Sequence, residues 1–142
     1  MLSDPTSVYA KAAAAGIGRA MDDVIITAFN ASASTGKSGT TSTALPAGNV
    51  IAHGSAGLTI AKLVSAKKIL DQNSVDPSIP RYIVVSPEQI EDLLNTTAVQ
   101  SSDFNTVKSL ATGQLDSFVG FKFIVSNRLK DDGTSRQCYA WA

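Results

Sequence analysis

An α+β fold is what this sequence predicts, and three observations predict it. The first thirty residues carry apolar side chains at helical spacing, starting after an Asp-Pro pair. Arg81-Tyr-Ile-Val-Val85 is a β-branched run that ends at the Ser-Pro opening of another helix. Phe121, Phe123 and Val125 alternate with other residues, and a last apolar run covers Cys138–Trp141. Helices and strands therefore share a chain of 142 residues, long enough to bury a core.

The elements follow in order. Asp4 is a good cap and Pro5 a good first-turn residue, because proline lacks the donor that a helix start leaves unpaired anyway. Ala12 to Ala15 favour helix, and Ile17, Met21, Val24, Ile25, Ala28 and Phe29 fall on one stripe at three- and four-residue spacings. A helix over residues 5–30 would be about 35–40 Å long. Gly16 and Gly18 each weaken it by up to about 1 kcal/mol relative to Ala, unless they admit a closely packed neighbour. Residues 31–57 are rich in Ser, Thr, Gly and Ala and read as a loop or a pair of irregular strands, with Val50 and Ile51 as apolar anchors.

Leu58–Asn73 is the second helix, capped by Thr59, with Ile60, Leu63, Val64, Ile69 and Leu70 on its apolar side. Lys67 and Lys68 suit its last turns, where cations complement the dipole. Asp76-Pro77 and Ile79-Pro80 break the chain before the strand Arg81–Val85. Ser86, Pro87 and Gln89 then fit a capping box, with Ile90, Leu93 and Leu94 facing inward. Asp103 opens a short helix burying Phe104, Val107 and Leu110 and ending at Gly113. Lys130-Asp-Asp-Gly133 is a turn, and Cys138–Trp141 is the returning strand.

Twelve basic and twelve acidic residues give a net charge near zero, which argues against a strongly basic nucleic-acid binder and suits self-association. Cys138 is the one cysteine, which excludes an intrachain disulfide and fits a buried free thiol. No apolar stretch approaches the span of a bilayer, and no secretory leader is visible. Gly36-Lys37-Ser38 resembles the end of a phosphate-binding loop, but Ala31 stands where that loop needs a glycine. Gly16-Ile17-Gly18 lacks the third glycine of a dinucleotide fingerprint, where Met21 stands. His53 has no second histidine for a metal site, and its expected role is solvent-facing or structurally hydrogen-bonded. The pairs Asp22-Asp23 and Glu91-Asp92 do not converge, since neighbours on a helix diverge by about 100°, and Asp131-Asp132 sits in the turn, where Asp next to Gly is favoured for backbone reasons. No catalytic, cofactor-binding or metal-binding residue is assigned.

The stretches RYIVVSPEQIEDLLN and SSDFNTVKSLATGQLDSFVGFKFIVSNRL resemble the major capsid proteins of tailed bacteriophages. That family carries a strand, a Ser-Pro-opened helix, a Ser-Asp-aromatic-Asn segment and a Gly-Phe strand ending in Ser-Asn-Arg-Leu. DPTSVYAKAAAAGIGRAMDDVIITAF resembles the segment that enters and forms its spine helix. The resemblance implies the tailed-phage coat fold: a long spine helix plus a mixed sheet with flanking helices on its faces. Residues 1–57 would hold the spine helix and loop of a partial peripheral domain, and residues 58–142 an axial-type domain. It implies a structural subunit, not an enzyme, that forms capsomers with copies of itself and other capsid subunits. The icosahedral shell would enclose double-stranded DNA that lies near the subunits without specific contact, assembling in a bacterial host's cytoplasm with no membrane partner. Family members also carry an arm and extended loop before the spine and further strands after the equivalent of Trp141, so the expectation is a truncated piece. Neither Lys37 nor Lys62 matches a cross-linking context. The residues alone also leave open a non-capsid protein-binding or adhesion module, and a small nucleotide-using enzyme.

Overall fold

The computed structural model describes residues 7–95, 117–131, 133 and 135–142. The chain divides into two compact units, Met1–Ala44 and Leu45–Ala142. The expected helix with Phe104, Val107 and Leu110 lies outside the described residues, as do Asp4 and Pro5.

In the first unit, α1 (Val8–Phe29) is capped by Ser7. Ser7 has extended backbone angles and its hydroxyl accepts from the Ala10 N–H at 3.1 Å, which satisfies one of the donors a helix start leaves unpaired. Twenty-two residues make a rod of about 33 Å. Thr27 Oγ1 donates to the Asp23 carbonyl at 2.7 Å, so the hydroxyl is satisfied within the helix. After α1 come β1 (Ala33–Thr35) and β2 (Thr41–Thr43), paired antiparallel with Ser34 opposite Ser42. Gly36 and Gly39 have φ of 86° and 65°, values at which a side chain is strained, and the Gly36-Lys37-Ser38 segment turns the chain between them. The hydroxyls of Thr35 and Thr43 meet at 2.9 Å across the ribbon. The Ser/Thr-rich segment is thus the irregular strand pair its composition allows.

In the second unit, a short 3₁₀ turn (Ala47–Asn49) precedes Val50 and Ile51, which are 58% and 37% exposed. They do not anchor the loop. Lys62 straps it instead: its amine donates to the carbonyls of His53, Ala56 and Gly57 at 2.7, 2.5 and 2.7 Å. A charged donor satisfies three acceptors that no ladder takes up. Helix α2 (Ile60–Gln72) is capped by Thr59, whose hydroxyl accepts from the Lys62 N–H. It buries Leu63 fully, whereas Val64 is half-exposed, because the helix turns Val64 away from the sheet.

Strand β3 (Arg81–Val85) pairs in parallel with β5 (Phe121–Val125) and antiparallel with β6 (Tyr139–Trp141). Strand β4 (Ser117–Phe118) pairs antiparallel with β5, so the order is β4-β5-β3-β6 and the sheet is mixed. The returning strand therefore lies beside β3, on the far side from β5. Between β3 and β4 the chain passes through α3 (Pro87–Asn95), opened as the capping box predicts: Ser86 Oγ accepts from the Gln89 N–H, and Gln89 Oε1 from the Ser86 N–H at 2.9 Å.

Alternation along β3 sends Ile83 and Val85 to one face, where they join Leu58, Leu63, Leu93 and Phe121 in one core cluster. Because Leu63 comes from α2 and Leu93 from α3, both helices cover that same face; the expected helices on both sides are not found among the described residues. The β4–β5 turn places Val119 at φ 53° and Gly120 at 83°, the two positive values of the tightest hairpin turn. Valine is costly there, and its packing against the core cluster holds it. Burial fades along β5: Phe121 is fully buried, whereas Val125, on the same alternating stripe, is 55% exposed.

Candidate functional site

Two surfaces stand out, one in each unit. The stripe Ile17, Met21, Val24 and Ile25 on α1 is 54–71% exposed. Ile26 is the buried residue of this helix, and at 100° per residue it lies about 140° around the axis from Met21. The apolar periodicity is present, but it points to a face that the described residues of this unit leave open. A Cβ at Gly16 or Gly18 would meet nothing within 4 Å, so among the described residues of this unit none uses the close approach the glycines offer.

The second surface is an open groove of about 840 Å³ at the Arg81 end of β3 and β5, lined by the C-terminal half of α2, residues 74–81 and the β4–β5 hairpin. Its charged residues are Lys67, Arg81 and Lys122 against Asp71 and Asp76, and Val75, Pro77 and Ile79 supply an apolar wall. Arg81 is 5% exposed and donates to Asp71 Oδ1 at 2.6 Å and to the Val75 carbonyl at 3.3 Å. Burial makes that partner necessary, because an unpaired buried guanidinium would cost several kcal/mol. Its Nε–H is buried with no acceptor among the described residues. The Asp76 carboxyl is held below the ordinary carboxylate range, mainly by the Ser78 N–H that it accepts at 2.8 Å.

The two lysines differ from these pairs. Lys67 makes no hydrogen bond or ion pair among the described residues, and its amine sits near Gly120, 3.7 Å from where a Cβ would stand. Lys122 lies beside Tyr82 in register and holds its amine 5.7 Å from that ring's centroid, the geometry of a cation over an aromatic face. Tyr82 in turn stacks on Trp141 at 5.9 Å. Lys67 approaches from the helix-covered side and Lys122 from the opposite face, so two amines flank one end of the sheet.

The other residues singled out by sequence take structural places. Lys37 lies in the β1–β2 turn, between strands and not before a helix. His53 is exposed, and its Nδ1 accepts from the Ser55 N–H at 3.0 Å. Cys138 packs against the core, and burial pushes its thiol up from the ordinary value of 9.0. Asp131 pairs with Arg136 at 3.2 Å, and Arg136 also reaches Glu88 at 3.5 Å. Sequence reasoning does not find the groove. The signals available are Arg81 opening an apolar strand and Lys122 interrupting another, but what joins them is the parallel pairing of β3 with β5.

Comparison with curated proteins and with solved structures returns no match. The family model described as phage capsid protein matches residues 1–142. That match spans every element above, and with it the chain belongs to the phage capsid protein family.

Proposed function

We propose that this capsid protein is a coat subunit of the tailed-phage type, with α1 as the spine helix of a peripheral domain over residues 1–57 and an axial-type domain over residues 58–142. Copies would form capsomers that tile an icosahedral shell, with double-stranded DNA lying inside and near the subunits. The family is structural and not enzymatic, and it places the chain in the bacteriophage virion among other capsid subunits. Among the described residues no helix is long and apolar enough to cross a membrane.

The observation that carries the reading is the exposure of α1. A helix of this length gains its stability in water mainly from packing of its apolar face. Here that face is open while Ile26 is the sole buried side chain among the described residues of Met1–Ala44. Such a unit fits a protein completed by neighbouring copies. The test is size-exclusion chromatography with light scattering, followed by electron microscopy of the purified chain. Ring-shaped capsomers or closed shells are expected. A folded protein that stays monomeric at high concentration and forms no particles would overturn the reading.

A further inference from the structure

We infer that the groove beside Lys67 and Lys122 receives the Asp22 region of α1 from a second copy of this chain, a contact that rests on the self-assembly proposed above and gives it a specific pair of surfaces. The argument begins with charge. Arg81 and Asp71 offset one another, and Asp76, which accepts from the Ser78 N–H and stays ionised, offsets one more of the groove's cations. Among the described residues Lys67 has no ion-pair partner, and Lys122 has an aromatic ring as its one partner. The described lining of the groove thus keeps one positive charge in excess, with the Lys67 amine on the helix-covered side of the sheet's end and the Lys122 amine on the other, so an acidic group at that end meets both.

The occupant follows from which carboxylates are unengaged. Glu88 and Asp131 face Arg136, Asp71 faces Arg81, and Asp23 and Asp92 have partners. Asp22 and Glu91 are the described carboxylates left exposed without one. Of these, Asp22 sits beside exposed apolar residues, with Ile25 about 60° and Met21 about 100° away around the helix. The groove offers the matching wall, with Ile79 46% exposed next to Val75 and Pro77. Acid flanked by apolar surface meets amines flanked by apolar surface. Because helix and groove are different patches, the contact is head-to-tail, and each copy supplies one of each; such contacts close rings or extend arrays.

Charge reversal tests this with both variants as full-length chains. Asp22→Lys sets a cationic helix against a cationic groove, and Lys67→Glu/Lys122→Glu sets an acidic groove against Asp22. Each variant alone is expected to self-associate roughly tenfold or more weakly than wild type. Mixed in equal amounts they should recover association, because the lysine introduced by Asp22→Lys in one meets the glutamates of the other while the remaining pair is native. Recovery should fade as salt is raised, as expected for exposed charges. Far-UV circular dichroism establishes that each variant is folded; if the double glutamate variant is not, Lys67→Ala/Lys122→Ala replaces it and should also weaken association. Unchanged association of both variants, or loss without recovery on mixing, would overturn the groove as the receptor while leaving assembly through α1 intact. A wild-type chain that is monomeric would sink both.

Discussion

Gln89 shows how one polar side chain can organise a junction. It is 8% exposed, yet both ends of its amide are used: Oε1 accepts from the Ser86 N–H, and Nε2 donates to the Arg136 carbonyl at 2.6 Å. The first bond fixes the start of α3, and the second ties the segment before β6 to that helix. Replacing Gln89 by Ala leaves both partners buried or half-buried without it, so the cost should exceed that of a simple cap. Each lost partner is worth about 1–3 kcal/mol, against about 1 kcal/mol for Ser86→Ala. Urea unfolding of the two variants checks the order, and equal costs would mean that the Arg136 bond contributes nothing. Cys138 adds a pH dependence. Burial raises its thiol in the folded chain, so the neutral form is favoured there while the unfolded chain ionises at the ordinary value of 9.0. The contribution is fully present below that value and is lost as pH rises through the raised one. Stability should therefore fall at alkaline pH in wild type, and Cys138→Ala should flatten that part of the curve.

At the scale of elements, legibility follows sequence distance. The capping box spans four residues, and its bonds are the predicted ones, because local chemistry alone decides them. Thr59 and the strand Arg81–Val85 are readable for the same reason. The helix stripe of α1 is readable as a period but not as a burial. Spacing says which residues share a face, while a neighbour decides whether it is covered, and the burial of Ile26 escapes the pattern on that account. Non-local pairing is opaque: nothing near Tyr139 announces that it adds to β3. The groove, made by the adjacency of Arg81 and Phe121 across parallel strands, is unreadable likewise. Within α3 the structure separates residues that periodicity groups together. Leu93 is fully buried in the cluster, whereas Leu94 is partly buried at its margin. Leu93→Ala should cost about 2–5 kcal/mol, and Leu94→Ala clearly less, as measured by denaturant midpoint. The β1–β2 ribbon, with all six of its strand residues exposed, should have the fastest-exchanging ladder amides in a monomeric form, since an isolated two-stranded hairpin is marginal in water.

On the scale of the whole molecule, the two units differ in kind. Leu45–Ala142 has a sheet, two helices on one face and a continuous apolar cluster, enough to hold itself together. The described part of Met1–Ala44 has a long helix, a ribbon and one buried side chain. A helix gains its stability in water mainly from packing of its apolar face, and in the assembly proposed above another copy covers the α1 stripe. Burying a valine or isoleucine side chain contributes about 1.5–3 kcal/mol, so placing a charge there instead should weaken association by at least about tenfold. Ile17→Asp and Val24→Asp are the variants of choice, because both side chains are more than half exposed in the single chain and their loss removes little from its own packing. Light scattering across a concentration series should show both variants shifted toward monomer, with the far-UV signal of α1 retained. Unlike the Asp22–lysine contact, this association should persist at high salt, since burial of apolar surface is not screened. Variants that stay folded and associate as wild type does would show that the stripe is not an assembly face, and that α1 stands in water unaided.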